Sequence, residues 1–179
     1  MSTTDPRAAR LDHPSVAAVR TALAEHARLA GRPEPEVTVL PDAVRTAQAA
    51  ADALGVTAAQ IANSLIFVAV HVDGRRTPLL VLASGGARVD TELLARLAGL
   101  AALERADADY VRTETGFAIG GVAPVAHRTT SGEPLRTIVD IELADHEEVW
   151  AAAGHSHTVF PTTYADLLAI TGGEPLQVR

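Results

Sequence analysis

Apolar residues recur along this chain in two alternating rhythms. Val16, Val19, Leu23 and Ala27 follow helical spacing behind His13-Pro14-Ser15, and Gly31 stands where a helix would be capped. A Pro-rich connector over 32–36 leads into a short strand, Val37 to Leu40. A second helix is predicted from Thr46 to Leu54, stopped by Gly55, followed by a short helical turn over 58–62. Asn63 to Val72 (N-S-L-I-F-V-A-V-H-V) is the strongest strand pattern in the chain. Asp73-Gly74 then supplies a hairpin turn, and Pro78 to Ala83 returns as a second strand. Both runs are apolar at successive rather than alternate positions, which predicts a sheet covered on both faces. Helices follow over 91–97 and 106–115, and a strand over 135–141. Further on, a helix is predicted over 143–153 with Gly154 as its stop, then a short strand at Val159-Phe160. A last helix over 162–170 and a closing strand over 175–178 complete the pattern.

This alternation with a hairpin inside it excludes a purely parallel sheet and predicts the α+β class with a mixed sheet. At 179 residues, with no repeat or internal linker, one compact domain is expected over 13–179. Residues 1–12 are polar and read as a flexible N-terminal tail. Apolar content is 47% and aromatic content only 3%, so the core is expected to be built from Ala, Val, Leu and Ile. The formal net charge of −7 argues against a protein held on nucleic acid by bulk charge, although a local basic patch is compatible with it. There is no cysteine, which excludes disulfides and thiolate chemistry. There is no lysine either, since all 15 Lys+Arg positions are arginine, so lysine nucleophiles and bases are excluded too. The longest purely apolar run, Leu65 to Val70, falls far short of the ~20 residues that span a bilayer. The N-terminus lacks the apolar segment of a signal peptide. The expectation is a cytoplasmic protein without membrane or metal dependence and without a cofactor.

Candidate chemistry centres on Thr113 to Pro124 (T-E-T-G-F-A-I-G-G-V-A-P). Gly116, Gly120 and Gly121, with Pro124, make this stretch a poor interior for a helix or strand. It suits either a buried turn or a backbone-lined loop whose N–H groups meet a ligand oxygen. Asp140 lies in an apolar strand, T-I-V-D-I, and is either a charge at the strand's solvated end or a carboxylate directed into a site. Asn63 and Ser64 open the strongest strand, where they cap the preceding turn or bind a ligand. His155-Ser156-His157 would place two rings on one side of an extended segment, but no accompanying helix motif supports a metal site. Arg45, Arg88, Arg112 and Arg128 are the arginines considered as a basic patch around the glycine loop.

Several of these segments together are specific. T-A-x-x-A-A-x-A-L-G-V at 46–56, Q-I-A-N-S-L-I-F at 60–67, T-G-F-A-I-G-G-V-A-P at 115–124, V-D at Asp140 and A-A-G-H at 152–155 occur in that order. In this the chain resembles the YbaK/EbsC family, related to the editing domain of bacterial prolyl-tRNA synthetases, over residues 13–178. The resemblance implies a curved, partly barrel-like mixed sheet surrounded by helices. It also implies trans-acting hydrolysis of the ester of mischarged tRNA, of the tRNA-Pro type, at the acceptor end. Water held in a pocket attacks the carbonyl in that chemistry, and fixed N–H groups stabilise the oxyanion. Carried onto this sequence, Asn63, Gly120 and Asp140 are the catalytic candidates. Ser64, Thr115, Gly116, Phe117, Gly121, Val122, Pro124 and His155 are the substrate-binding ones. Two positions depart from the family pattern. Asn63 stands where deacylating members carry lysine, and Ala126 stands where many carry glycine. The first departure supports an alternative, a catalytically altered module that binds aminoacyl-tRNA or a nucleotide-like ligand.

Overall fold

The computed structural model describes residues 6–41, 46–86 and 88–179; Arg45, one of the candidate arginines, lies outside them. Its centre is the predicted hairpin. Strands β2 (Ile61–Val70) and β3 (Arg76–Ser84) pair antiparallel in a register that runs from Ala62 opposite Ser84 to Val70 opposite Arg76. The connection turns at Gly74, whose φ of 83° is left-handed, and the Asp73 carboxylate accepts the Arg75 N–H at 2.9 Å. Added to this pair are β1 (Thr38–Val39), β4 (Ala102–Arg105), β5 (Arg136–Asp140), β6 (Val149–Ala152), β7 (Thr158–Thr162) and β8 (Glu174–Leu176). The sheet order is β1-β7-β6-β2-β3-β5-β8, with β4 also on β2. The sheet is mixed, with β2–β6, β3–β5 and β5–β8 parallel and the other pairs antiparallel. It is not closed into a barrel: β1 and β8 end the strand order without pairing to each other.

One feature of the pairing positions the site. Along the edge of β2 away from β3, β6 pairs only with Ile61 and Ala62, and β4 only with Phe67 to Val70. Among the described residues no strand pairs that edge over residues 63–66. The sheet is therefore split there, and a gap opens beside Asn63 and Ser64.

The continuous apolar character of β3 is explained by its burial on both faces. Leu80 and Leu82 join a core with Val19 and Leu23 of α2 (Pro14–Ala30), Val111 of α5 (Ala108–Thr115) and Leu167 of α6 (Tyr164–Thr171). Leu79, Val81 and Ala83 face the other way, onto Leu94 and Ala95 of α4 (Thr91–Leu97). A third, smaller cluster packs Ala50 and Ala51 of α3 (Ala47–Leu54) against Leu40, Ile61 and Val159. The helix ends follow the sequence signals. Thr46, Asp90, Asp107 and Thr163 each accept a first-turn N–H, and Gly31, Gly55, Gly116 and Gly172 are left-handed caps.

Three segments differ from the sequence expectation. Residues 6–11, within the stretch read as a tail, form the short helix α1 (Pro6–Leu11). The strand β4 falls between the two helices predicted over 91–97 and 106–115, where no element is predicted. The helix predicted over 143–153 is instead a 3₁₀ turn at Ile141–Asp145 followed by β6. Alanine-rich V-W-A-A is a good helix former, yet here Val149 and Ala151 enter the main core while Trp150 and Ala152 face the opposite way. That two-residue alternation, with partners on both edges, overrides the local preference.

Candidate functional site

The glycine loop lies between α5 and β5 and is fastened at both ends. Thr115, fully buried, donates its hydroxyl to the Val111 carbonyl at 2.6 Å and accepts the Phe117 N–H at 3.0 Å. Gly116 caps α5 at φ 77°, and the Arg128 N–H reaches the Thr115 carbonyl at 3.1 Å. Phe117 is buried and meets His127 edge-on, with ring centroids 5.8 Å apart. His127 Nε2 lies 2.7 Å from the Ala123 carbonyl oxygen, and burial holds the ring's pKa below the ordinary histidine value. Ala126 adopts φ 64°, so alanine takes here the left-handed geometry that a glycine would adopt freely. Thr115, Gly116, Phe117 and Pro124 therefore build and anchor the loop; none of them lines a cleft.

The tip of the loop is different. Ile119 is exposed, and Gly120 has φ 85°. The Gly121 N–H closes a turn onto the Ala118 carbonyl at 3.0 Å. Among the described residues the N–H groups of Gly120 and Val122 have no protein acceptor. Gly121 is required by close packing: a Cβ there would lie 2.9 Å from His155 Cα. His155 thus acts behind the loop. Its N–H bonds Thr158 Oγ1 at 3.1 Å, and its carbonyl accepts the Thr158 N–H at 3.0 Å. Its ring lies 5.4 Å from that of His13 and 5.7 Å from that of His157. Burial first, then the neighbouring His13, His157 and Arg10, lower its pKa. Among the described residues no group of three or more His, Asp or Glu gathers as a metal site.

Two clefts meet at the gap in the sheet, and they share Asn63, Ser64, Leu65, Ile119, Gly120 and Val122. Asn63 is exposed on its strand. Ser64 is half-buried, with a buried Oγ that has no hydrogen-bond partner among the described residues. The first cleft, about 600 Å³, runs between α3 and the sheet, past Trp150, Ser156 and His157. The second, about 820 Å³, runs towards the start of α4 and carries Arg88, Arg105, Asp90 and Glu92. Of the three candidate arginines among the described residues, only Arg88 reaches either cleft. Arg112 lies on the surface of α5, and the Arg128 stem stands 3.5 Å from where a Cβ on Gly116 would be. Arg105, missed from the sequence, arrives through β4, where it pairs with Phe67. Trp150 was hidden by the helix expected over its segment.

Asp140 is not in this arrangement. Fully buried, its carboxylate accepts the Ser84 N–H at 3.0 Å and the Glu142 N–H at 3.1 Å, tying the ends of β3 and β5 and capping the 3₁₀ turn. It lines neither cleft. A buried carboxylate whose oxygens both serve as backbone caps is satisfied where it stands.

The sequence profile of the aminoacyl-tRNA editing domain matches residues 41–170. Among solved structures, a candidate trans-editing enzyme for prolyl tRNA synthetase is 39% identical, with TM-score 0.78 over 93% of this chain and 97% of its own. A structure from computational grafting of epitopes onto scaffold proteins is 36% identical, with TM-score 0.80 over 93% and 98%. A hypothetical protein is 25% identical, with TM-score 0.72 over 88% and 98%. No curated protein sequence matches. Among the described residues no helix is long and apolar enough to cross a membrane. By the extent of the profile match, the chain belongs to the aminoacyl-tRNA editing domain family.

Proposed function

We propose that this protein is a trans-acting deacylase that hydrolyses the ester of mischarged aminoacyl-tRNA, of the tRNA-Pro type, at the boundary of the two clefts. The observation that carries this reading is the sharing of Asn63 and Gly120 by both clefts at the split in the sheet. An ester placed there has N–H groups of the glycine loop on one side and the Asn63 amide on the other. Water attacks the carbonyl carbon, and the carbonyl oxygen takes the negative charge. The N–H groups of Gly120 and Val122 are available to that oxyanion, which is where fixed donors accelerate the step. The intermediate collapses by breaking the carbonyl–ribose C–O bond, and the ribose oxygen leaves with the proton the water gave up. Asn63 offers two N–H donors and one acceptor oxygen, enough to orient the ester and the attacking water without a charge. Arg88 and Arg105 supply cations for acceptor-end phosphates along the second cleft.

Deacylation time courses on tRNA-Pro carrying alanine, serine or cysteine test the reading, with Asn63→Ala and Asn63→Lys beside the wild type. Loss of one orienting donor is expected to lower kcat by about 10²–10³-fold in Asn63→Ala, with unchanged stability because Asn63 is exposed. The replacement of the family lysine by Asn63 favours a second reading, a binding module. No wild-type turnover on any charged tRNA, with turnover gained in Asn63→Lys, would establish that reading instead.

A further inference from the structure

The two clefts that share Asn63 and Gly120 differ in charge. The first is lined by no Asp, Glu or Arg among the described residues, and its one titratable side chain is His157. The second holds Arg88, Arg105, Asp90 and Glu92, and the Asp90 carboxylate is already taken by the Glu92 and Leu93 N–H groups at 3.1 and 2.9 Å. A ribose ester centred on the shared residues would therefore send its phosphate towards the arginines. Its acyl group would enter the uncharged side.

The far wall of that uncharged side is Trp150. In the parallel pairing of β2 with β6, Trp150 stands opposite Ile61, and Asn63 lies two residues further along β2 on the same face. One strand spacing and two residues of rise separate the two backbone positions by roughly 8 Å. An acyl carbon within hydrogen-bond reach of Asn63 thus directs its side chain at the indole. One ring orientation is favoured by the hydrogen bond that Nε1 donates to the exposed Glu148 carboxylate at 3.0 Å, and by packing against the cluster of Ala50, Ile61 and Val159. Across the cleft stand Ala47 and Ala50 of α3, with Ala152 beside the ring. Small residues opposite one large ring make a slot whose length is set by the ring.

We infer that Trp150 is the specificity-determining residue of this site, forming the end wall of an aminoacyl slot that admits short uncharged side chains and rejects charged ones. The inference rests on the deacylase reading for the identity of the ester. Rejection of charge follows from desolvation, since the described residues lining the slot include no Asp, Glu or Arg to pair with a carboxylate or ammonium group. Rejection of length follows from the indole.

Trp150 is the only tryptophan in the chain, so intrinsic emission reports on this wall alone. Wild-type protein is titrated with non-hydrolysable adenosine analogues carrying an amide-linked alanyl, leucyl, aspartyl or lysyl group. The alanyl analogue is expected to change Trp150 emission saturably, with the leucyl, aspartyl and lysyl analogues at least tenfold weaker. Competition against a bound fluorescent alanyl analogue then compares Trp150→Phe and Trp150→Ala with wild type. Each is expected to raise leucyl relative to alanyl affinity, by tenfold or more in Trp150→Ala, while the charged analogues stay weak. Trp150→Phe keeps an aromatic body on the strand and covers the case in which Trp150→Ala fails to fold. Emission unmoved by every analogue, or an unaltered leucyl-to-alanyl ratio in Trp150→Phe and any folded Trp150→Ala, overturns the inference. Because the analogues are not hydrolysed, a protein that binds them as expected yet turns over no charged tRNA sinks the deacylase reading and leaves the wall in place.

Discussion

Gly121→Ala tests whether the glycine loop is held by packing as tight as the geometry indicates. The added Cβ would lie 2.9 Å from both His155 Cα and its carbonyl carbon and 3.1 Å from its nitrogen. Carbon atoms pack best at about 3.5–4.0 Å, so the two segments must part by roughly 0.6–1 Å. His155 cannot yield on its own. It sits in the turn closed by Thr158, and the preceding Gly154 has its own Cβ position 2.7 Å from the Ser15 carbonyl oxygen at the start of α2. Overpacking of this kind costs about 1–3 kcal/mol. Taking about 2 kcal/mol, Tm is expected to fall by roughly 4–8 °C for a chain of this size. The displacement falls on the loop that presents Gly120, and a shift on the order of 1 Å at a reacting centre costs about 10²-fold in rate. Gly120→Ala is the companion variant. Its Cβ would meet Ser156 Cβ at an ordinary 3.7 Å, so its cost is the strain of φ 85°, about 1–2 kcal/mol, with no clash. Calorimetry on both variants, with initial deacylation rates per folded molecule, separates the two costs. Gly121→Ala with wild-type Tm and wild-type rate would refute the claim that the His155 turn fixes the loop.

Three further outcomes are expected. Ala126→Gly relieves left-handed strain of about 1–2 kcal/mol while adding about 0.5–1 kcal/mol of unfolded-state entropy, so chemical denaturation should show stability unchanged or raised by up to about 1.5 kcal/mol; a measurable loss would show that the alanine methyl is needed for packing. Asp140→Ala leaves the Ser84 and Glu142 N–H groups without their acceptor, at about 1–3 kcal/mol for each group that stays buried; its Tm should fall while the rate per folded molecule stays within about threefold, and an intact Tm with a hundredfold rate loss would return Asp140 to the chemistry. His127 and His155 both have pKa values lowered by burial, so the unfolded chain, whose histidines titrate near ~6.5, binds more protons as pH falls; unfolding free energy should be full above about pH 7 and decline as pH drops through ~6.5 towards the folded-state values, with a shallower decline in His127→Gln. An equal pH slope in His127→Gln and wild type would assign the acid sensitivity elsewhere.

Much of this protein is determined by local sequence. The helices behind Thr46, Asp90, Asp107 and Thr163, and the β2–β3 hairpin around Asp73-Gly74, are set by caps, turns and periodicity that act over a few residues. The glycine loop is legible for the same reason, because three glycines and a proline exclude regular structure wherever they fall. What the sequence cannot carry is partnership. V-W-A-A becomes a strand because β2 and β7 stand ready on either side, and that outcome brings Trp150 into the first cleft. Asp140 reads as a candidate acid, but burial and two backbone N–H groups make it a structural cap. The two clefts meet where β4 and β6 pair with β2 at different places and, among the described residues, leave that edge unpaired from Asn63 to Ile66. That gap is a product of sheet order and register, which depend on contacts between residues far apart in the chain. Local propensity determined the pieces, and long-range pairing decided which of them face the cleft.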